Sequence, residues 1–180
     1  METISPLHTT THHTPIGDLT LAATENGLVS SSFAGPDQVR RRLRQHAVPA
    51  TDSPPAVAWL DQARTELDSY FDGKLRTFTV PVDLTLAGDF DRSVLTALIK
   101  VDYGSTTTYG RLAGELGLPR EDIRKVGAAL ARNPVLVAVP CHRVVGFDGA
   151  LVGFAGGLPA KRWLLDLESD QPQLSLDLTG

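Results

Sequence analysis

The 180-residue chain contains a single cysteine, Cys141. One cysteine excludes an internal disulfide and a cysteine-based zinc cluster, whatever the compartment. Long apolar runs are missing too. No stretch approaches the roughly 20 apolar residues that span a bilayer, and the polar, His/Thr-rich start lacks the apolar core of a signal peptide. The expectation is a soluble globular protein in the cytoplasm, with no membrane contact. Excess positive charge is also absent: a formal net charge of −4 argues against a non-specific, strongly basic nucleic-acid binder. There are no internal repeats and no low-complexity segments.

What is present is enough apolar material, 42% of residues, for the packed core of one ordinary domain or two small ones. The charge is uneven. Residues 1–90 sum to −4, residues 91–146 to +3 and residues 147–180 to −3, so the one positive block contains Cys141. A basic surface there would hold a phosphate backbone by counterion release while the rest of the molecule stays acidic; an accident of composition explains +3 equally well.

Apolar periodicity and turn signals give the layout. Leu19–Phe33 reads as a hairpin turning at Glu25-Asn26-Gly27. Pro36–His46 reads as a short helix with Val39 and Leu43 inward and Arg40, Arg41, Arg42 and Arg44 on a solvated face. Proline-rich 48–55 marks a loop, Val57–Phe71 a helix with core aromatics, and Phe78–Val82 an edge strand because of Pro81. Near Leu86-Ala87-Gly88-Asp89 the texture changes from strands to helices, which divides the chain into residues 1–88 and 89–180.

In the second part Phe90–Val101, Tyr109–Leu116 and Glu121–Arg132 read as helices, the last two separated by Gly117-Leu118-Pro119. A helix, turn and helix in a positive block invites a DNA reading. The third helix is rich in small residues, Gly127, Ala128, Ala129 and Ala131, which suits close approach to a groove and suits helix packing at least as well. Val135–Val139 reads as a buried strand leading into Pro140-Cys141-His142-Arg143-Val144; Gly146–Gly157 as a hairpin and a close-approach loop; Lys161–Glu168 as a last helix before a frayed tail.

A lone cysteine is more often a small buried hydrophobe than a nucleophile, so its neighbours decide. A cysteine attacks as thiolate and needs a group that creates or stabilises that charge. His142 and Arg143 follow it at once, although adjacent residues on an extended strand point to opposite faces.

The pentapeptide Pro140–Val144, with Asn133-Pro134 upstream and Gly153-Phe154-Ala155-Gly156-Gly157 downstream, resembles the O6-alkylguanine-DNA alkyltransferase family over about Phe90 to Glu168. Weaker similarity runs through 15–21 and Tyr70-Phe71-Asp72-Gly73-Lys74. The resemblance implies an α/β fold: a small ribonuclease-H-like N-terminal domain, then a winged-helix (helix-turn-helix) domain carrying DNA binding and the active site. It implies direct, irreversible transfer of an alkyl group from O6-alkylguanine, and from O4-alkylthymine, in double-stranded DNA to Cys141, the base being flipped out of the stack. It further implies that His142 takes the thiol proton through a water, that Glu168 polarises His142, and that Tyr109 assists departure of the guanine. Arg124 would fill the gap left by the flipped base, with Gly127, Ala128, Arg132 and Arg143 also at the DNA. Asn133, Pro140, Val144, Phe154, Ala155, Gly156 and Lys161 would form or support the pocket. Phe154 stands where the family often has tyrosine, and Ala155 where serine or glycine is common, which bears on the range of alkyl groups accepted.

The competing readings are a lesion-sensing relative that binds without repairing, a winged-helix regulator with an incidental cysteine, and a cysteine hydrolase. The sensing relatives typically lack the cysteine, so Cys141 favours the enzyme. His8, His12 and His13 raise the question of a metal; three histidines on a tail read as disordered predict none. No cofactor is implied, since the DNA is the alkyl donor. The expected state in solution is a monomer, and the sequence leaves open whether binding to DNA is cooperative.

Overall fold

The computed structural model describes residues 9–48 and 52–169 and shows a mixed α/β protein, a sheet unit followed by a helical unit. The sheet has three antiparallel strands in the order β1 (Thr9–Thr14), β2 (Gly17–Thr24) and β3 (Gly27–Ser32). The turn at Glu25-Asn26 falls where the sequence placed it, with Thr24 opposite Gly27. Gly27 is required there. Its φ is +145°, and a Cβ would lie 2.3 Å from Pro81 O.

β2 is buried on both faces, which is why its sequence reads as a nearly continuous apolar run. Leu19, Leu21 and Ala23 join the main core under α2 (Pro54–Phe71), where Leu60, Ala63, Leu67 and Tyr70 point inward. Ala22 and Val29 meet Val39 and Leu43 of α1 (Pro36–Gln45) in a second, smaller cluster. α2 starts earlier than its apolar periodicity suggests: Pro54 and Pro55 sit in its first turn, where a missing N–H goes unused.

Two expectations for this unit are corrected. Residues 9–14 are not a disordered tail but strand β1, held to β2 by its backbone ladder; His12 is buried and lies 2.8 Å from Asp68, and His13 lies 2.6 Å from Asp18. A Thr/His-rich strand has no apolar alternation to betray it. His8 and the proposed tail after residue 169 lie outside the described residues. Phe78–Val82 forms no ladder, only a single parallel bridge from Val82 to Leu28 beside the free edge of β3.

The helical unit consists of α3 (Asp89–Leu98), α4 (Tyr109–Glu115), α5 (Ile123–Ala131) and α6 (Leu158–Glu168), with a two-residue parallel pair of β4 (Thr107–Thr108) and β5 (Val144–Val145). Thr108 caps α4 by accepting from Arg111 N, and a 3-10 turn at Arg120–Asp122 precedes α5. α3 and α4 both pack on α5. One hydrophobic cluster runs through both units, from Leu19 and Tyr70 to Val135 and Leu164.

The predicted strand at Val135–Val139 is instead a buried folded loop. Asn133 clamps it: its Nδ2 donates to Val139 O (2.9 Å) and its Oδ1 accepts from Val135 N (3.0 Å), drawing the two ends together. Val137 accordingly has φ +73°, a costly conformation for a β-branched residue. One bridge, Ser31 to Val135, ties this loop to β3. The expected hairpin after Gly146 is a turn closed by Gly146 N to Ala150 O, followed by irregular chain rather than a ladder.

Candidate active site

Cys141 does not lie on an extended strand. It opens a 3-10 turn, Cys141–Arg143, which leads into β5. The turn buries three polar side chains in succession, and their partners come from distant parts of the chain.

Glu168, at the end of α6, is the hub. Its Oε1 accepts from His142 Nε2 (2.8 Å), Arg143 NH2 (2.8 Å) and Tyr70 OH (2.7 Å), and its Oε2 accepts from Arg143 Nε (2.9 Å). Arg143 NH1 also donates to Val101 O (2.6 Å). Burial alone would raise the Glu168 pKa, but the hydrogen bonds from His142 and Arg143 and the Arg143 charge hold it at about 2, so it is a carboxylate at all working pH values. A carboxylate only accepts, which places the His142 proton on Nε2. Nδ1 then carries the lone pair; it is buried and makes no hydrogen bond among the described residues. Full burial, 0% exposed, lowers the His142 pKa, and the Arg143 and Lys161 charges add to that against the pull of Glu168. The ring is therefore a neutral base.

Burial likewise pushes the Cys141 thiol up, although the Asn133 side chain and the Lys161 charge pull the other way. The resting sulfur is a thiol and needs a proton acceptor before it can attack. Lys161 is itself 0% exposed, and its ammonium spends three donors on Val144 O (2.6 Å), Val152 O (2.8 Å) and Gly153 O (3.1 Å). It staples β5 to the glycine-rich loop.

On the other side Cys141 lines a cavity of about 240 Å³ with Tyr109, Gly127, Leu130, Ala131, Gly153, Phe154 and Ala155. This suits one flat heterocycle rather than an extended ligand. Tyr109 opens α4 and donates its hydroxyl to Val152 O (3.0 Å). Gly127 lies against its ring, where a Cβ would sit 3.7 Å away. Phe33 of the sheet unit meets Phe154 edge-on at 6.2 Å, and a Cβ on Gly156 would fall 2.5 Å from the Phe33 ring. Arg124 and Ala128 are exposed on α5; Arg124 precedes pocket-lining Gly127 by one helical turn.

The structure thus gathers Cys141, His142, Glu168, Tyr109, Asn133, Val144, Phe154, Ala155, Gly156 and Lys161 into one region, with Pro140 buried just before the Cys141–Arg143 turn. It does not place Arg143 at a DNA surface. That side chain is 6% exposed and committed to Glu168, the burial of a carboxylate requiring a cation beside it. Arg132 is half outside, but its guanidinium is gripped at both ends by Asp91 of α3 (2.7 Å each), and its carbonyl accepts from Arg42. Sequence reasoning missed Tyr70 and Phe33. Tyr70 read as a core aromatic, yet a tyrosine on the buried face of a helix is itself a signal, because a buried phenol needs a partner.

The chain is similar to known proteins along nearly its whole length. Residues 7–84 match the family model described as "6-O-methylguanine DNA methyltransferase, ribonuclease-like domain", and residues 89–170 match "6-O-methylguanine DNA methyltransferase, DNA binding domain". The chain is 38% identical to the methylated-DNA–protein-cysteine methyltransferase of Mycobacterium leprae, over 96% of this chain and 98% of that protein. It is 41% identical to the protein of the same name from Methanosarcina barkeri, over 87% and 93%. Among solved structures, Mycobacterium tuberculosis OGT in complex with DNA superposes with a TM-score of 0.75 at 37% identity, covering 89% of this chain and 92% of that one.

Proposed function

The chain belongs to the 6-O-methylguanine DNA methyltransferase family, and from that membership we propose that Cys141 takes the alkyl group from O6-alkylguanine, and from O4-alkylthymine, in double-stranded DNA. It is a DNA-repair methyltransferase that transfers the alkyl group to its own cysteine. The observation that carries the assignment of Cys141 is positional: the only cysteine in the chain walls the cavity, with the His142–Glu168 pair behind it.

A stacked base holds its O6 substituent at the major-groove edge of the pair, out of line with a thiol in a protein pocket, so the base flips into the cavity. Arg124, exposed one turn before Gly127, fills the gap in the stack, and the low profile of Gly127 and Ala128 lets α5 lie close to the minor groove. Val144 O, already bound by Lys161, has a second lone pair for the base edge. His142 Nδ1 takes the thiol proton through a water, the sulfur attacks the alkyl carbon, and the O6–C bond breaks with its electron pair going to the base. The Tyr109 hydroxyl assists that departure as a donor. The net exchange moves the thiol proton to guanine and leaves a thioether on Cys141. A thioether has no easy leaving group, so each molecule acts once.

Arg132 is a reserve contact at most, since DNA would have to draw it from Asp91. We further assign residues 1–88 and 89–180 to two domains, the first supporting the second. The protein works as a monomer in the cytoplasm. Among the described residues no helix is long and apolar enough to cross a membrane.

The test is intact and peptide mass spectrometry after incubation with a duplex holding one O6-methylguanine. Stoichiometric gain of one CH2 at Cys141, absent in Cys141→Ala, is the expected result. Binding of the lesion with Cys141 unmodified would replace repair with the lesion-sensing reading.

A further inference from the structure

Glu168 is held from two directions. The catalytic turn supplies His142 and Arg143, and α2, in the sheet unit 98 residues away in sequence, supplies the Tyr70 hydroxyl. We propose that Tyr70 is a positioning residue for alkyl transfer, its hydroxyl fixing the Glu168 carboxylate so that His142 keeps its proton on Nε2 and presents Nδ1 to the thiol. The proposal rests on the repair function given above.

Packing does not explain the hydroxyl. The Tyr70 ring is fully buried against Phe71, Phe78 and Tyr103, contacts that a phenylalanine would make equally well. What phenylalanine could not do is donate to Glu168 Oε1. Burial and the neighbouring Glu168 charge raise the Tyr70 pKa, so the phenol stays a donor throughout the range in which the protein is folded. The same hydroxyl is 3.5 Å from His142 Nε2. Tyr70 OH, His142 Nε2 and Arg143 NH2 therefore converge on one oxygen, and the carboxylate orients all three; a His142 tautomer without a proton on Nε2 would leave that oxygen short of one partner and Nδ1 blocked by a proton.

The charged and titratable groups around His142 are Glu168 and Lys161 from α6, Arg143 from its own turn and Tyr70 from α2, with Tyr103 stacked beneath Arg143 and Arg76. Tyr70 is the neutral member that sets how much of the Glu168 charge His142 feels. Without the hydroxyl, Glu168 has fewer donors, becomes a stronger acceptor and raises the His142 pKa. Imidazolium cannot accept the thiol proton, so activity is then lost at a higher pH as the solution is acidified.

The experiment compares wild type and Tyr70→Phe in single-turnover transfer from an O6-methylguanine duplex as a function of pH, alongside 15N spectra of the histidine rings. In Tyr70→Phe the acid limb is expected to move up by about 0.5–1 pH unit, with the plateau rate down about 3- to 10-fold. The His142 titration should move with the limb. Superimposable profiles and His142 spectra overturn the proposal, as does a variant that only melts earlier while its limb stays in place. If Tyr70→Phe is too unstable to assay, the wild-type spectra still decide: a neutral His142 with its proton on Nδ1 overturns it. Absence of transfer by wild type would instead count against the function.

Discussion

Behind Cys141, Tyr70, His142, Arg143 and Glu168 are buried and joined by short hydrogen bonds to one carboxylate, whereas in front of it the cavity wall is made of Tyr109, Gly127, Phe154 and Ala155, with Tyr109 to Val152 as the polar link. The two sides are built for different work. A charged cluster in which both oxygens of the central carboxylate are used is stiff and tolerates little change. A wall of small and aromatic groups fixes a shape, and shape can be altered by degrees. Activation of the sulfur should therefore fail sharply when disturbed, while choice of alkyl group should drift.

Replacing Glu168 with Gln tests the stiff side most severely. It leaves Arg143 buried without its counter-charge and turns one of the two accepting oxygens into a donor amide, which weakens the acceptor that fixes the His142 tautomer. Transfer should fall about 10²- to 10⁴-fold, as for loss of a general base, and denaturant titration should show a loss of about 3–5 kcal/mol. A mild effect on both would mean that the two sides are not different in kind.

Acid should act on the same side. The folded pKa of Glu168 is depressed, so its contribution is complete above the unfolded carboxylate range and is lost as pH falls towards about 2. It amounts to about 3 kcal/mol over that span. His142 is also depressed, and its contribution fades as pH falls below the ordinary histidine range, near 6.5. Urea midpoints should thus decline on acidification first through His142 and then through Glu168; a flat profile from neutral pH to pH 4 would contradict the assignment of a neutral His142.

On the pocket side, Gly156→Ala drives a Cβ into Phe33 and should cost about 1–3 kcal/mol through over-packing. Phe33→Ala in the same chain should recover part of it, measured as a coupling in a double-mutant cycle. Additive effects would show that the sheet unit does not brace the loop. Smallest of all, Phe154→Tyr should change stability by less than about 1 kcal/mol and alter the ratio of bulky-alkyl to methyl transfer more than either stability or the methyl rate.

The same division explains what was legible beforehand. Strands β2 and β3, helices α1 to α6 and the cluster around Cys141 all carry local signals: apolar period, Gly27 at a turn, Thr108 at a cap, the Pro140–Val144 motif. β1 carries none, because it is made only of Thr and His with no apolar face, and backbone pairing does the holding. Val135–Val139 misled because five apolar residues look the same whether extended or folded back, and the fold-back depends on one side chain, Asn133. Arg143 misled because a motif fixes residue types without fixing which way a guanidinium points; its partner lies 25 residues on. Tyr70 and Phe33 reach the site only through the contact between units, and sequence spacing holds no trace of that.

The most direct test of the account is His142→Gln, with lesion-duplex affinity and single-turnover transfer to Cys141 measured on one preparation. Affinity is expected within about twofold of wild type and transfer down by at least about 100-fold, since the base is removed and the pocket kept. Transfer close to the wild-type rate, or affinity and transfer falling together, would contradict the separation of an activating side from a recognising side.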